Sequence, residues 1–187
     1  MKNLDGTKTE ANLTAALADE SKAHASYMRF AARAKEEGHD AVALYFATTA
    51  VNEQEHAKVW LRFLGGSIQD KGAINADQIK VGSSNDNLQA AINGETYESS
   101  EMYPSFAKAA REEGFDIIAK LFDQVSEIEK SHADYFKNLL EKLDSPAAAP
   151  SVSLDRWKCD KCGFIAALKN TPVGTCPVCG NNIFKRF

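Results

Sequence analysis

The sequence predicts a mainly α fold: four long helices arranged as two hairpins joined by a long crossover, followed by a small domain closed on four cysteines. Three observations predict it. The first is an internal repeat, in which Phe30–Asp40 returns as Phe106–Asp116 with seven of eleven residues identical, an offset of 76 residues. The same offset carries Tyr27 onto Tyr103, Phe46 onto Phe122, Glu53 onto Glu129 and His56 onto His132. The second is punctuation: Gly38, Gly65-Gly66 and Gly114 stand where Ala- and Leu-rich stretches end, as helix-stopping glycines do. The third is that all four cysteines lie between residues 159 and 179, in two Cys-x-x-Cys knuckles.

The first helix is expected over about residues 9–37 and the second over about 40–64. Ser67–Ser83, with Gly, Asn, Asp and Ser among scattered Ile and Val, reads as a crossover rather than a tight turn. The third helix is expected over about 85–113 and the fourth over about 116–143. Two hairpins joined by one long connection match the ferritin-like bundle topology. The expected divisions are residues 1–144 for the bundle, 145–153 for a linker stiffened by Pro146 and Pro150, and 154–187 for the cysteine domain. So short a tail cannot fold on apolar burial alone and calls for a structural metal.

Two segments carry the bundle's chemistry, Glu53-x-x-His56 and Glu129-x-x-His132. A Glu and a His three apart on a helix share a face and can grip one metal ion. One copy means little, since Glu is common on solvated helix faces; two copies in repeat register mean more. Upstream the register slips. Glu20 precedes Tyr27 by seven residues, but the offset of 76 places its partner at Thr96, and the neighbouring Glu95 is the available carboxylate. An extra residue therefore stands between Glu95 and Tyr103, which predicts a π-bulge or kink near Glu98–Pro104. Pro104 is expected to leave the Ser100 carbonyl without its helical partner.

Glu20 and Glu95 with the two Glu-x-x-His pairs complete the ligand set of ferritin-like two-metal proteins, a template matched rather than derived. Four buried carboxylates would repel one another, and two divalent cations neutralise them. Oxygen and imidazole donors suit iron or manganese. Glu98, one turn beyond Glu95, is either a further ligand or a solvated acid like Glu101. Tyr27 and Tyr103 are placed to hydrogen-bond ligand carboxylates; the plainer reading is two core tyrosines. His24 and His39 have no repeat mate of their type and are poor ligands, Glu55 belongs on the surface, and Phe30, Phe46, Phe106, Phe122 and Phe136 belong to the core.

Cys159, Cys162, Cys176 and Cys179 offer four thiolates in tetrahedral spacing, suited to iron and to zinc alike. Zinc would only hold the tail together; iron would make it a one-electron carrier, useful beside a two-metal redox site. The whole chain carries 26 acidic and 22 basic residues, net −4, which is no footprint for nucleic acid. No apolar run reaches the ~18–20 residues of a membrane span, and the first residues lack an apolar signal core. A soluble cytoplasmic protein is expected.

With both motifs in view, the chain resembles the rubrerythrin family over nearly its whole length. The matching stretches are Glu20-Ser21, Glu53-x-x-His56-Ala57-Lys58, Gly94-Glu95-x-x-Glu98, Glu101–Ala107, Arg111–Gly114, Glu129-x-x-His132 and the two knuckles. The resemblance implies a non-haem di-iron peroxidase of oxidative-stress defence that reduces hydrogen peroxide to water. Electrons would come through a rubredoxin-like Fe(Cys)4 centre, from reduced rubredoxin or an NAD(P)H-dependent reductase. It further implies Glu53 and Glu129 as bridging carboxylates, Glu95 and His132 as terminal ligands of one iron, Glu20 of the other, and Glu98 exchanging with His56 as that iron changes oxidation state. It implies a homodimer in which one subunit's cysteine centre lies near the other's di-iron site. Two other readings share parts of the pattern: a ferritin-like ferroxidase, which has no need of the tail, and a zinc ribbon on an inert bundle.

Overall fold

The computed structural model of the chain describes residues 3–65, 79–143, 156–166 and 174–186. The order is α1 (Lys8–Glu36), α2 (Asp40–Leu64), α3 (Ser84–Tyr97), a π-helical turn (Glu98–Met102), α4 (Tyr103–Glu112) and α5 (Asp116–Glu141). Three short strands follow, β1 (Trp157–Cys159), β2 (Ile165–Ala166) and β3 (Phe184–Arg186). They form an antiparallel sheet with β1 in the centre. Most of the expected crossover and the whole expected linker lie outside the described residues.

The repeat is a structural pseudo-symmetry. Thr7 caps α1, its Oγ1 accepting from the Glu10 N–H, and a Ser83–Asp86 capping box opens α3. Each first helix closes the same way. His39 N–H donates to the Ala34 carbonyl at 2.9 Å, and Phe115 N–H to Ala110 at 2.8 Å. Gly38 (φ 83°) and Gly114 (φ 75°) make these turns in the left-handed region, where a Cβ would be strained.

Packing repeats too. Tyr27, Phe46 and Phe136 form a ring cluster with centroids 5.6, 5.5 and 4.9 Å apart. Their mates Tyr103, Phe122 and Trp60 form another at 5.8, 5.7 and 4.7 Å. Each fully buried ring of this kind contributes roughly 1.5–3 kcal/mol. Phe106 is only partly buried, so the expected phenylalanine stripe is core except at that position.

The extra residue of the third helix is absorbed as a π turn over Glu98–Met102, where the broken register foretold a bulge. In that turn the fifth residue on donates, as Tyr103 N–H does to the Glu98 carbonyl. The partner that Pro104 withholds is therefore due to Ser99, a correction to the expectation for Ser100. Ser126 Oγ on α5 supplies the hydrogen instead, at 2.8 Å. The turn lets Glu95 and Tyr103 both face the interior despite the inserted residue.

Candidate metal centres

Between the two aromatic clusters lie five carboxylates and two imidazoles. Glu20 comes from α1, Glu53 and His56 from α2, Glu95 from α3, Glu98 from the π turn, and Glu129 and His132 from α5. Glu20, Glu53, Glu95, Glu129 and both histidines are at most 1 % exposed, and Glu98 is 8 % exposed. Two overlapping four-residue groups can each hold an ion: Glu20, Glu53, His56 and Glu129, and Glu53, Glu95, Glu129 and His132. Glu53 and Glu129 belong to both, as bridging groups must. Glu98 belongs to neither in this geometry; His56 completes the first group, its Nδ1 2.9 Å from Glu53 Oε2, 3.0 Å from Glu129 Oε1 and 3.5 Å from Glu20 Oε2.

The donor atoms fit a metal pair. Glu20 Oε2, both oxygens of Glu53 and Glu129, Glu95 Oε2 and Nδ1 of both histidines are buried with no hydrogen-bond partner. So many orphaned buried polar atoms would be costly unless cations satisfied them. Electrostatics in the bare protein agree. Burial raises Glu20 and Glu98 well above the ordinary carboxylate range, and burial with the nearby Glu53 raises Glu95 to about 8. Burial also opposes ionisation of Glu53, but His132 and His56 outweigh it and hold that carboxyl at about 2. For both histidines burial opposes the charged ring, yet the surrounding carboxylates raise their pKa well above the usual value.

The tyrosines hold the outer oxygens. Tyr27 O–H donates to Glu95 Oε1 at 2.7 Å, and its repeat mate Tyr103 donates to Glu20 Oε1. Tyr103 in turn accepts from Trp60 Nε1 at 3.2 Å. Burial first, then the neighbouring carboxylates, raises both phenols well above 10, so they stay protonated donors. His24 and His39 lie outside the cluster; His24 Nδ1 meets the Ala50 carbonyl at 2.7 Å. Glu101 is exposed. Glu55 stays outside the cluster at the protein's edge, partly exposed, with its carboxylate on Lys58 at 2.7 Å.

The four cysteines converge as a second group. The Sγ atoms of Cys159 and Cys179 are 3.6 Å apart, and those of Cys162 and Cys176 3.5 Å. A tetrahedron with metal–sulfur bonds of about 2.3 Å has edges of about 3.8 Å, so the cage has the right size for zinc or iron.

The two centres touch within one chain. The Cys162 carbonyl accepts from His56 Nε2 at 2.9 Å, and Asn52 Nδ2 donates to the Lys161 carbonyl at 2.7 Å. Asn52 and Trp60 escaped the sequence reading. The available signal was that Asn52, polar and next to Glu53, has the apolar mate Ile128.

The family model described as Rubrerythrin matches residues 11–140. A rubrerythrin of Porphyromonas gingivalis is 38 % identical over 180 residues, covering 96 % of this chain and 89 % of the relative. One of Nitratidesulfovibrio vulgaris is 36 % identical over 182 residues, covering 97 % and 94 %. The structure of nigerythrin in its fully reduced, all-ferrous state superimposes with a TM-score of 0.74 at 30 % identity, covering 98 % of this chain and 91 % of that one.

Proposed function

The chain belongs to the rubrerythrin family, and from that premise we propose that it is a non-haem di-iron peroxidase, reducing hydrogen peroxide to water with electrons delivered through the cysteine centre. The bundle carries a carboxylate–histidine site of the di-iron type, and the tail carries a rubredoxin-like four-cysteine site. The observation that carries the reading is the 2.9 Å hydrogen bond between His56 Nε2 and the Cys162 carbonyl. It joins a ligand of one centre to a ligand of the other by a single hydrogen bond, an arrangement useful for passing electrons and needless for storing iron.

In this reading Glu53 and Glu129 would be shared by the two irons, Glu95 and His132 would complete the hold on one, and Glu20 with His56 on the other. Iron bound there would supply two electrons, one from each ion, and Lewis acidity for the developing oxygen charge. The balance is one peroxide, two electrons and two protons to two waters. Glu98 is the most accessible carboxyl of the cluster, and in the metal-free protein burial raises its pKa well above the ordinary range; in this reading it is the group that gives a proton at its carboxyl to the departing oxygen. It also stands ready to replace His56 as a ligand. Tyr27 and Tyr103 fix the orientation of Glu95 and Glu20, and the packed rings on either side keep bulk water out. The electron donor in this reading is reduced rubredoxin or an NAD(P)H-dependent reductase, and the protein acts as a cytoplasmic homodimer in oxidative-stress defence. Among the described residues no helix is long and apolar enough to cross a membrane.

The test is anaerobic mixing of the fully reduced, iron-loaded protein with one equivalent of hydrogen peroxide, followed by visible absorption. Rapid return of both ferric di-iron and ferric-thiolate absorption is the expected result. A fast reaction with oxygen and none with peroxide would replace this reading with a ferroxidase.

A further inference from the structure

Asn52 and Ile128 are repeat mates, each standing immediately before the Glu of its Glu-x-x-His segment. The cysteine domain seats between them. Gly163, with φ +75°, turns its bare Cα to the bundle; a Cβ there would lie 3.0 Å from Asn52 Oδ1 and 3.2 Å from Ile128 Cγ2. One knuckle thus rests on two positions that the repeat makes equivalent and the sequence makes unlike.

The buried Asn52 amide has only one consistent orientation. A carbonyl can only accept, so the group 2.7 Å from the Lys161 oxygen is Nδ2, and Oδ1 faces His132 Nε2 at 3.2 Å. His132 is therefore held with its proton on Nε2. Its Nδ1 turns to Glu129, Glu53 and Glu95 at 2.8, 3.3 and 3.5 Å. Ile128 has no amide to do the same for His56. His56 Nε2 finds its acceptor outside the bundle, on the Cys162 carbonyl. The two histidines, alike in spacing and burial, are held by different domains.

We propose that this Asn/Ile asymmetry makes the docked cysteine domain part of the bundle's metal site: His56 takes its orientation from the seated knuckle, His132 takes its own from Asn52, and Asn52 is the positioning residue that also holds the knuckle down. The inference deepens the reading of the bundle as a two-metal centre and rests on it. In the reading in which Glu98 replaces His56, it supplies a reason for that choice, since movement of the knuckle releases the His56 ring first.

The test uses the full chain loaded with zinc in both centres, with 15N-labelled histidine, and follows solvent exchange of the two Nε2–H protons. Zinc does no peroxide chemistry, so the outcome is separate from that of the peroxide experiment. Gly163→Ala presses a methyl on Asn52 and Ile128 and strains the φ +75° turn, which loosens the seat of the knuckle. It is expected to speed exchange at His56 about tenfold or more and at His132 several-fold less, because Asn52 is carried by the bundle and stays beside His132 when the knuckle loosens. Asn52→Ala is expected to speed exchange at His132, and adding Ile128→Asn to Gly163→Ala, which offers His56 an amide within the bundle, is expected to slow His56 again. A Gly163→Ala tail that loses its own zinc leaves the comparison intact, because an unseated tail is the condition tested; bundle zinc is checked by metal content. Equal acceleration of both histidines by Gly163→Ala, or of neither, would overturn the proposal.

Discussion

Glu37 and Glu113, 76 residues apart, each cap the helix that opens the other half of the repeat. Glu113 accepts from the backbone N–H groups of Lys8 and Thr9 at 3.0 and 2.8 Å, and Glu37 accepts from that of Ser84 at 2.7 Å. A carboxylate at a helix N-terminus satisfies orphan donors and complements the helix dipole. The exchange of caps ties the first helix of each hairpin to the end of the other.

This relationship predicts an acid limb of stability. Hydrogen bonds from Ser84 lower the pKa of Glu37, and those from Thr9 lower that of Glu113, from an ordinary value of 4.5. A lowered folded pKa means that the contribution is full above the unfolded pKa and is lost as pH falls through the folded value. Glu37→Gln with Glu113→Gln should lower the melting temperature at pH 7. The gap from the unsubstituted protein should shrink as pH drops below about 4. A gap that persists at low pH would mean that charge is not what the caps supply.

Glu98→Ala should leave both ligand groups standing, since Glu98 belongs to neither. Iron content should stay near that of the unsubstituted protein. Peroxide turnover should fall by about 10²-fold, the lower range for loss of a positioned proton donor. Unchanged turnover in stopped-flow mixing would remove Glu98 from the chemistry.

The two tyrosines should differ in cost. Tyr27→Phe removes one donor to Glu95, worth about 1 kcal/mol. Tyr103→Phe removes the donor to Glu20 and also strands the fully buried Trp60 N–H, so it should cost about 1–3 kcal/mol more. Denaturant unfolding of the two variants measures the difference, and equal costs would deny Trp60 its part.

Ser126→Ala should weaken the π turn, because the Ser99 carbonyl then has neither Pro104 nor the serine as donor. The loss is expected at about 1 kcal/mol, seen as a lower denaturation midpoint. A stability equal to that of the unsubstituted protein would show that water takes over.

Metal binding should compete with protons. In the metal-free protein Glu95 titrates at about 8, so below that pH a bound cation must displace its proton. Affinity at the bundle site, measured by competition with a chelator, should weaken as pH falls from about 8 to 6. Complete metal removal near neutral pH should lower the melting temperature by on the order of 10 °C. Affinity that stays flat over that pH range would mean that neither Glu95 nor the two histidines holds a proton that the metal must displace.

Much of this protein is legible in the chain because its signals are local. Helix ends at Gly38 and Gly114, the face-sharing Glu-x-x-His pairs and the cysteine knuckles depend only on spacing along one element. The repeat made the mismatch at Glu95 visible, and a one-residue mismatch inside a helix has few physical outlets besides a π turn. What spacing could not decide was which donor meets which acceptor across the fold. Ser126 on Ser99, Tyr103 between Trp60 and Glu20, and Glu98 outside both ligand groups are facts of packing between elements. The sharpest case is the meeting of the two centres. The sequence alone determined that a carboxylate–histidine site and a four-thiolate site exist. Only the tertiary structure decided that His56 reaches the Cys162 carbonyl 106 residues away while His132 is held by Asn52. Hydrogen bonds across such distances are chosen by how rigid elements pack, and a repeat that makes two histidines equivalent in sequence cannot say which of them a single tail will touch.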